Sequence, residues 1–183
     1  MAPTDAGARQ QLLTEIKAKA VVHGRVVLSS GREADYYVDL RRITLDGAAA
    51  PLVGEVMLDL TSGLDYEAVG GLTLGADPVA AAMLHAAAAR QHRLDAFVVR
   101  KEGKAHGLQR RIEGPDVTGR RVLAVEDTST TGDSVLAAVG ALRDAGAVVV
   151  GVAVIVERGA AGAVREAGLE YLAAYELGDL GLH

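Results

Sequence analysis

Residues 122–134 read VLAVEDTSTTGDS: four apolar residues, two adjacent acids, then small hydroxylated residues and glycine, with an amphipathic stretch over 135–145 directly after. The quartet Val122, Leu123, Ala124 and Val125 fits a strand buried on both faces, as in a parallel sheet covered by helices. Thr128, Ser129, Thr130, Thr131, Gly132, Asp133 and Ser134 then supply hydroxyls and backbone N–H groups where the helix begins. A helix N-terminus carries about half a positive charge and unpaired donors, so this turn suits a phosphate. It is not a P-loop, because the lysine of GxxxxGK[ST] is absent and Glu126 and Asp127 stand at the strand end instead. Two carboxylates beside a phosphate cradle need something to hold, and ribose hydroxyls or a Mg²⁺ ion are suited to them. A pentose joined to phosphate, as in phosphoribosyl pyrophosphate, answers both halves. The plain alternative is a ligand-free strand–turn–helix in which the acid pair only caps the helix.

The rest of the composition narrows the class. A chain of 183 residues is long enough for one domain with a substantial core. Half the residues are apolar, but with one Phe and no Trp the core is built from Ala, Val and Leu. Cysteine is absent, which excludes disulfides, thiolate chemistry and Cys-based zinc sites and favours the cytoplasm. The opening MAPTDAGARQQLLTEIK lacks a basic start followed by an apolar core, so no signal peptide is expected. The longest apolar run, 147–156, is about half of a membrane span and reads as a buried strand. A net charge of −5 argues against general nucleic-acid binding. Against that background Arg100, Lys101, Lys104, Arg110 and Arg111 cluster with His106, a basic segment suited to an anion.

The order of elements follows from periodicity. A helix is expected over 8–22, then two short strands around a turn at 29–32, a helix over 48–62 and a short strand at 68–70. GGLTLGADP forms a glycine-rich turn before an alanine-rich helix over 79–90. DAFVVRK is a strand that runs into a polar loop over 102–119, and the opening motif and its helix follow. The strand 147–156, a short helix over 160–167 and a last strand over 170–174 complete the chain. Strands alternating with helices imply an α/β fold: a mostly parallel, doubly wound sheet flanked by helices. Ligands of such sheets bind beyond the carboxyl ends of the strands. The whole chain, 1–183, reads as a single domain, with about 1–45 forming a small N-terminal hood over that rim.

Three further features bear on chemistry. FVVRKEGKAHG, residues 97–107, ends a strand in Arg100 and Lys101 and then presents Lys104 and His106. Flexible cations there would neutralise charge on a departing pyrophosphate, and a closing loop would exclude water; a solvated basic loop is the bland reading. IVERG, residues 155–159, puts Arg158 at the strand end, where a guanidinium fork suits a planar carboxylate or a surface ion pair with Glu157. In LSSGREADYYVDL, residues 28–40, Tyr36 or Tyr37 either stacks on a ring or belongs to the core of a hairpin.

These motifs carry a resemblance. VLAVEDTSTTGDS resembles the phosphoribosyl-pyrophosphate loop of type I phosphoribosyltransferases, and RKEGKAHG resembles the R-K-x-x-K-x-H-G loop of the orotate phosphoribosyltransferases among them. The resemblance extends from the SSGR turn to Gly159. It implies a type I phosphoribosyltransferase fold and transfer of ribose 5-phosphate to orotate in pyrimidine biosynthesis. It also implies Mg²⁺ held mainly through the substrate rather than by direct protein ligands, and a homodimer with sites shared across its interface. Lys104, His106 and Asp127 are then the catalytic candidates. Arg100, Lys101, Lys104, His106, Glu126, Asp127, Thr128, Ser129, Thr130, Thr131, Gly132, Asp133 and Ser134 would bind phosphoribosyl pyrophosphate. Thr130, Arg158 and Tyr37 would contact orotate, with no nucleic-acid or membrane partner. Two positions depart from the family pattern: Ser29 and Leu74 stand where lysines are usual, and Arg32, Arg41 and Arg42 are the cations available to compensate.

Overall fold

The computed structural model describes residues 6–27, 33–101 and 111–182, and of 6, 25–27, 33 and 34 the backbone alone. Helix α1 (Ala6–Glu15) runs into a π-helical turn (Ile16–Ala20) that buries Ile16 and Ala20. The helix expected over 8–22 therefore stops at Ala20. Val21 and Val22 instead open strand β1 (Val21–Val27), where they pair with Val38 and Tyr37 of the antiparallel β2 (Glu33–Val38). β-branched valines sit easily in extended backbone, and a cross-strand partner decides the matter against helix continuation. A one-turn helix α2 (Arg41–Thr44), without a signal in the sequence reading, follows the ribbon.

Helix α3 (Ala50–Leu60), β3 (Ala68–Leu72), α4 (Ala76–Ala89) and β4 (Asp95–Val99) come next. After them lie β5 (Ile112–Glu113), β6 (Arg121–Ser129), α5 (Asp133–Asp144), β7 (Val148–Glu157), α6 (Ala161–Glu166) and β8 (Tyr171–Glu176). Two boundaries correct the sequence reading. Strand β5 interrupts the expected loop over 102–119, pairing Ile112 with Val99 and Glu113 with Val98 in antiparallel sense. Strand β6 continues past the apolar quartet to Ser129, because the long β7 offers a partner there: Thr128 pairs with Val156 and Ser129 with Glu157. Polar side chains thus remain on extended backbone for four residues beyond the hydrophobic signal. Helix α5 then starts at Asp133 rather than at 135.

The six strands line up as β5-β4-β3-β6-β7-β8, all parallel except β5. Both faces are covered. Leu123 and Val125 of β6 pack with Val69, Ile155 and the buried faces of α1, α3 and α4. Val122 and Ala124, pointing the other way, pack with Val152, Val154 and with Val135, Ala138 and Leu142 of α5. That alternation is the period of two expected of a strand. Tyr175 ties α1 to the sheet edge: its hydroxyl donates to Arg9 O at 2.7 Å, and the Arg9 guanidinium lies 4.8 Å from its ring centre. No helix among the described residues is long and apolar enough to cross a membrane.

The strand order also locates a site. From β3 the chain moves to β4 on one side, and from β4 and β5 it returns to β6 on the other. The carboxyl ends of β3 and β6 therefore diverge at a topological switch point, where doubly wound sheets open a crevice.

Candidate active site

A cleft of about 330 Å³ opens at that switch point, lined by Tyr37, Asp39, Arg41, Thr73, Gly75, Lys101, Glu126, Asp127, Thr128, Ser134 and Arg158 among others. A larger groove of about 530 Å³ lies at the opposite, amino end of the strands, between the 111–118 segment and the end of α5. The cleft gathers groups from β3, β4, β6, β7 and the N-terminal ribbon, and the groove does not.

Its floor is the acid pair. Glu126 is only 6% exposed, and Asp127 is half-buried. The Asp127 N–H donates to Glu126 Oε1 at 3.2 Å, and the Thr128 N–H donates to Asp127 Oδ1 at 2.6 Å. These local bonds do not offset desolvation. Burial and then the neighbouring Asp127 charge push the Glu126 carboxyl up to about 8, and burial also raises Asp127. Across the cleft, the Arg41 charge opposes the rise at Asp127. Gly75 makes room for the pair: a Cβ there would overlap Glu126 Oε1 and come within 2.9 Å of Asp127 Oδ1. Beside it the Thr73 hydroxyl donates to Asp77 Oδ2 at 2.7 Å, while Asp77 Oδ1 is buried with no hydrogen-bond partner among the described residues.

The turn after β6 has the form expected of an anion cradle. Ser129 is buried, whereas Thr130, Thr131, Asp133 and Ser134 are exposed. Gly132 turns the chain with φ +87°, a conformation that L side chains rarely adopt, and as the N-cap residue of α5 it brings no capping side chain. The Thr131 hydroxyl donates to Asp133 Oδ2 at 2.7 Å and accepts from the Asp133 N–H at 3.4 Å, and the N–H groups that follow in the first turn of α5 suit an anion.

Arg158 joins this turn through the backbone, its N–H donating to Ser129 O at 3.0 Å. The ion pair with Glu157 does not form. The Glu157 carboxylate instead accepts from the N–H groups of Gly159 (2.7 Å) and Ala161 (3.1 Å) and from the Tyr171 hydroxyl. Burial and that carboxylate push the Tyr171 hydroxyl up. Glu157 is thus a clamp on the turn, and Arg158 has no ion-pair partner among the described residues. Period-two alternation resolves the tyrosine pair: Tyr36 packs against the core with Val38, and Tyr37 faces the cleft.

Lys101 lines the cleft, but Arg100 does not. Its guanidinium reaches Glu113 at 3.5 Å, and its N–H donates to Arg111 O at 2.7 Å, so residues 100 and 111 are pinned together at the rim. Lys104 and His106 lie outside the described residues, as do Ser29 and Arg32. Thr130, Thr131, Gly132 and Asp133 stand in the turn beside the cleft lining. Sequence reasoning passed over Asp39, Thr73, Gly75 and Asp77. Only the glycine-rich turn after β3 signalled any of them. Among the described residues no three His, Asp or Glu side chains converge as ligands of a metal ion.

Comparison with known proteins accords with this geometry. Residues 69–170 match the model of the phosphoribosyl transferase domain. The orotate phosphoribosyltransferase of Streptomyces avermitilis is 72% identical over 178 residues, 95% of this chain and 97% of that protein. The chain belongs to the orotate phosphoribosyltransferase family. Among solved structures, the Mycobacterium tuberculosis orotate phosphoribosyltransferase in complex with Fe(III) dicitrate superposes with a TM-score of 0.87 at 58% identity, covering 96% of this chain and 99% of that one. The same enzyme in complex with phosphoribosyl pyrophosphate gives a TM-score of 0.84 at 52% identity, with 96% and 99% coverage. The family resemblance of the sequence motifs thus extends to the fold and to nearly the full chain.

Proposed function

We propose that the protein transfers ribose 5-phosphate from phosphoribosyl pyrophosphate to N1 of orotate, giving orotidine 5′-monophosphate and pyrophosphate in de novo pyrimidine (UMP) biosynthesis. The observation that carries this reading is the convergence, at one switch point, of the Glu126–Asp127 acid pair, the N-terminus of α5 and Arg158, which has no ion-pair partner among the described residues. Family membership supports it. The C1′–O bond to diphosphate breaks through a cationic sugar, the C1′–N1 bond forms, and the N1 proton of orotate is lost.

Each group has a task in that sequence. Glu126 and Asp127 hold the 2′- and 3′-hydroxyls of the ribose through hydrogen bonds, and the negative charge that the pair carries favours the cationic sugar, Asp127 foremost. Thr128, Ser129, Thr130, Thr131, Gly132, Asp133 and Ser134 hold the 5′-phosphate on the first turn of α5. Arg158 grips the orotate carboxylate through its fork, Thr130 contacts the same base, and Tyr37 stacks on its ring. Lys101 and Arg100, with Lys104 and His106, meet the diphosphate. Lys104, His106 and Asp127 carry the catalytic step.

Mg²⁺ fits this chemistry, because carboxylates with raised proton affinity and the unpartnered Asp77 Oδ1 are hard oxygen ligands. It would be held mainly through the substrate, with Glu126 and Asp127 the nearest carboxylates to it. When bound, it supplies neutralisation of the leaving diphosphate.

The chain is read as one domain, 1–183, with about 1–45 as a hood over the cleft. Two copies form a homodimer with shared sites. In support, Leu45 and Leu74 are 70% and 61% exposed, and Leu45 borders an apolar groove with Pro51, Pro78, Ala81 and Ala82. Absence of cysteine fits a cytoplasmic enzyme, and an acidic chain fits one with neither nucleic-acid nor membrane partners. Pyrophosphate release on mixing the protein with phosphoribosyl pyrophosphate, Mg²⁺ and a panel of bases tests the reading. Release with orotate and not with adenine, guanine or xanthine is expected. Release with a purine alone overturns it.

A further inference from the structure

The cations of the cleft are unevenly placed. Arg158 enters from β7, and Lys101 from the end of β4; the turn between them, Thr73, Leu74 and Gly75, brings no positive charge. Lining the cleft together with that turn is Arg41, the first residue of α2, a helix that follows the N-terminal ribbon and packs against α4. Of the three arginines available to compensate, Arg32 lies outside the described residues, and Arg42 is exposed and does not line the cleft.

Arg41 is held rather than free. Its Nε donates to Asp39 Oδ1 at 2.8 Å, its backbone N–H donates to the same oxygen at 3.2 Å, and Nη2 donates to the Tyr37 hydroxyl at 3.4 Å. Asp39 is four-fifths buried, and this guanidinium holds its carboxyl below the usual carboxylate range. The Arg41 side chain stays 45% exposed. Asp39 and Tyr37 engage Nε and Nη2, Arg41 lines the cleft, and Nη1 has no hydrogen-bond partner among the described residues. An Arg–Asp pair that spends only one edge on its carboxylate is built to offer the other edge to an anion.

We propose that Arg41 is a donor-binding residue: its guanidinium, fixed by Asp39, takes oxygens of the donor's diphosphate from the ribbon side of the cleft, opposite Lys101. The strand order favours diphosphate over the orotate carboxylate. Arg41 belongs to α2, which packs against α4, the helix that follows β3, and Lys101 follows β4, whereas Arg158 follows β7 on the far side of β6. The inference rests on the donor reading of the cleft given above.

Steady-state kinetics and calorimetry with phosphoribosyl pyrophosphate, orotate and inorganic pyrophosphate test it, with Mg²⁺ present. Arg41→Ala is expected to raise the KM for phosphoribosyl pyrophosphate and the Kd for pyrophosphate by about tenfold or more, the size of a lost charge-assisted bond. The orotate KM changes less than about twofold, Arg41→Lys recovers part of the loss, and Arg42→Ala behaves as wild type. Unchanged donor KM and pyrophosphate Kd in Arg41→Ala overturn the proposal, and so does a rise confined to orotate. If wild-type protein binds neither phosphoribosyl pyrophosphate nor pyrophosphate, the donor reading itself fails; if it binds both and Arg41→Ala binds them equally, only the role of Arg41 falls.

Discussion

Strands β6 and β7 lie side by side and both end in carboxylates on the same rim, yet the fold treats these acids in opposite ways. Glu157, ending β7, accepts from two backbone N–H groups and a tyrosine hydroxyl. Glu126, buried, and Asp127, half-buried, lie near the end of β6, and each accepts from the next residue's own N–H. The well-satisfied acid is committed to its own backbone and fixes the turn that carries Arg158. The unsaturated pair is costly to keep charged, and ribose hydroxyls or a cation relieve that cost. Binding capacity on this rim therefore follows from which acids the fold leaves unsatisfied.

Substitutions at the two strand ends separate the roles. The largest effect is expected at the acid pair: Asp127→Asn lowers kcat/KM for pyrophosphate release by about a hundredfold or more even with excess Mg²⁺, since it removes charge from beside the cationic sugar. Near-normal turnover would erase the distinction between the strands. A smaller, base-specific effect is expected at the clamp. Tyr171→Phe removes one donor to Glu157, worth about 1 kcal/mol, and so raises the orotate KM about fivefold while the donor KM stays put. Equal changes in both KM values would show a clamp that supports the whole fold rather than Arg158.

The smallest effect is thermodynamic and depends on pH. Glu126 titrates near 4.5 when unfolded and at about 8 in the fold. The stability gained by keeping it neutral is full below pH 4.5 and is lost as pH rises to 8. Glu126→Gln should therefore raise Tm by a few degrees at pH 9 and by little at pH 5, read by thermal unfolding. A gain independent of pH would refute the burial penalty.

Much of this was legible in the sequence, and the gaps have physical causes. The apolar quartet 122–125, the acid pair and the hydroxyl-rich turn specified strand, site and helix, because each has its own residue signature. The extension of β6 to Ser129 was hidden, since pairing with β7 rather than hydrophobicity keeps those residues extended. The helix over 8–22 was drawn too long for the converse reason: Val21 and Val22 fit either state until β2 supplies a partner. Two-residue β5 is too short to show any period. Tyr37 was separable from Tyr36 by parity with the buried Val38, a signal present in the sequence but unused. Glu157 as a clamp was not legible, because Tyr171 is fourteen residues away and meets it only across the β7–β8 pair.

Calorimetric titration of phosphoribosyl pyrophosphate with Mg²⁺ into Asp127→Asn and Glu157→Gln, side by side with wild type, tests the contrast most directly. The account predicts that Asp127→Asn weakens binding about tenfold or more, whereas Glu157→Gln leaves the donor Kd within about twofold. Equal weakening in both variants, or weakening confined to Glu157→Gln, would contradict it.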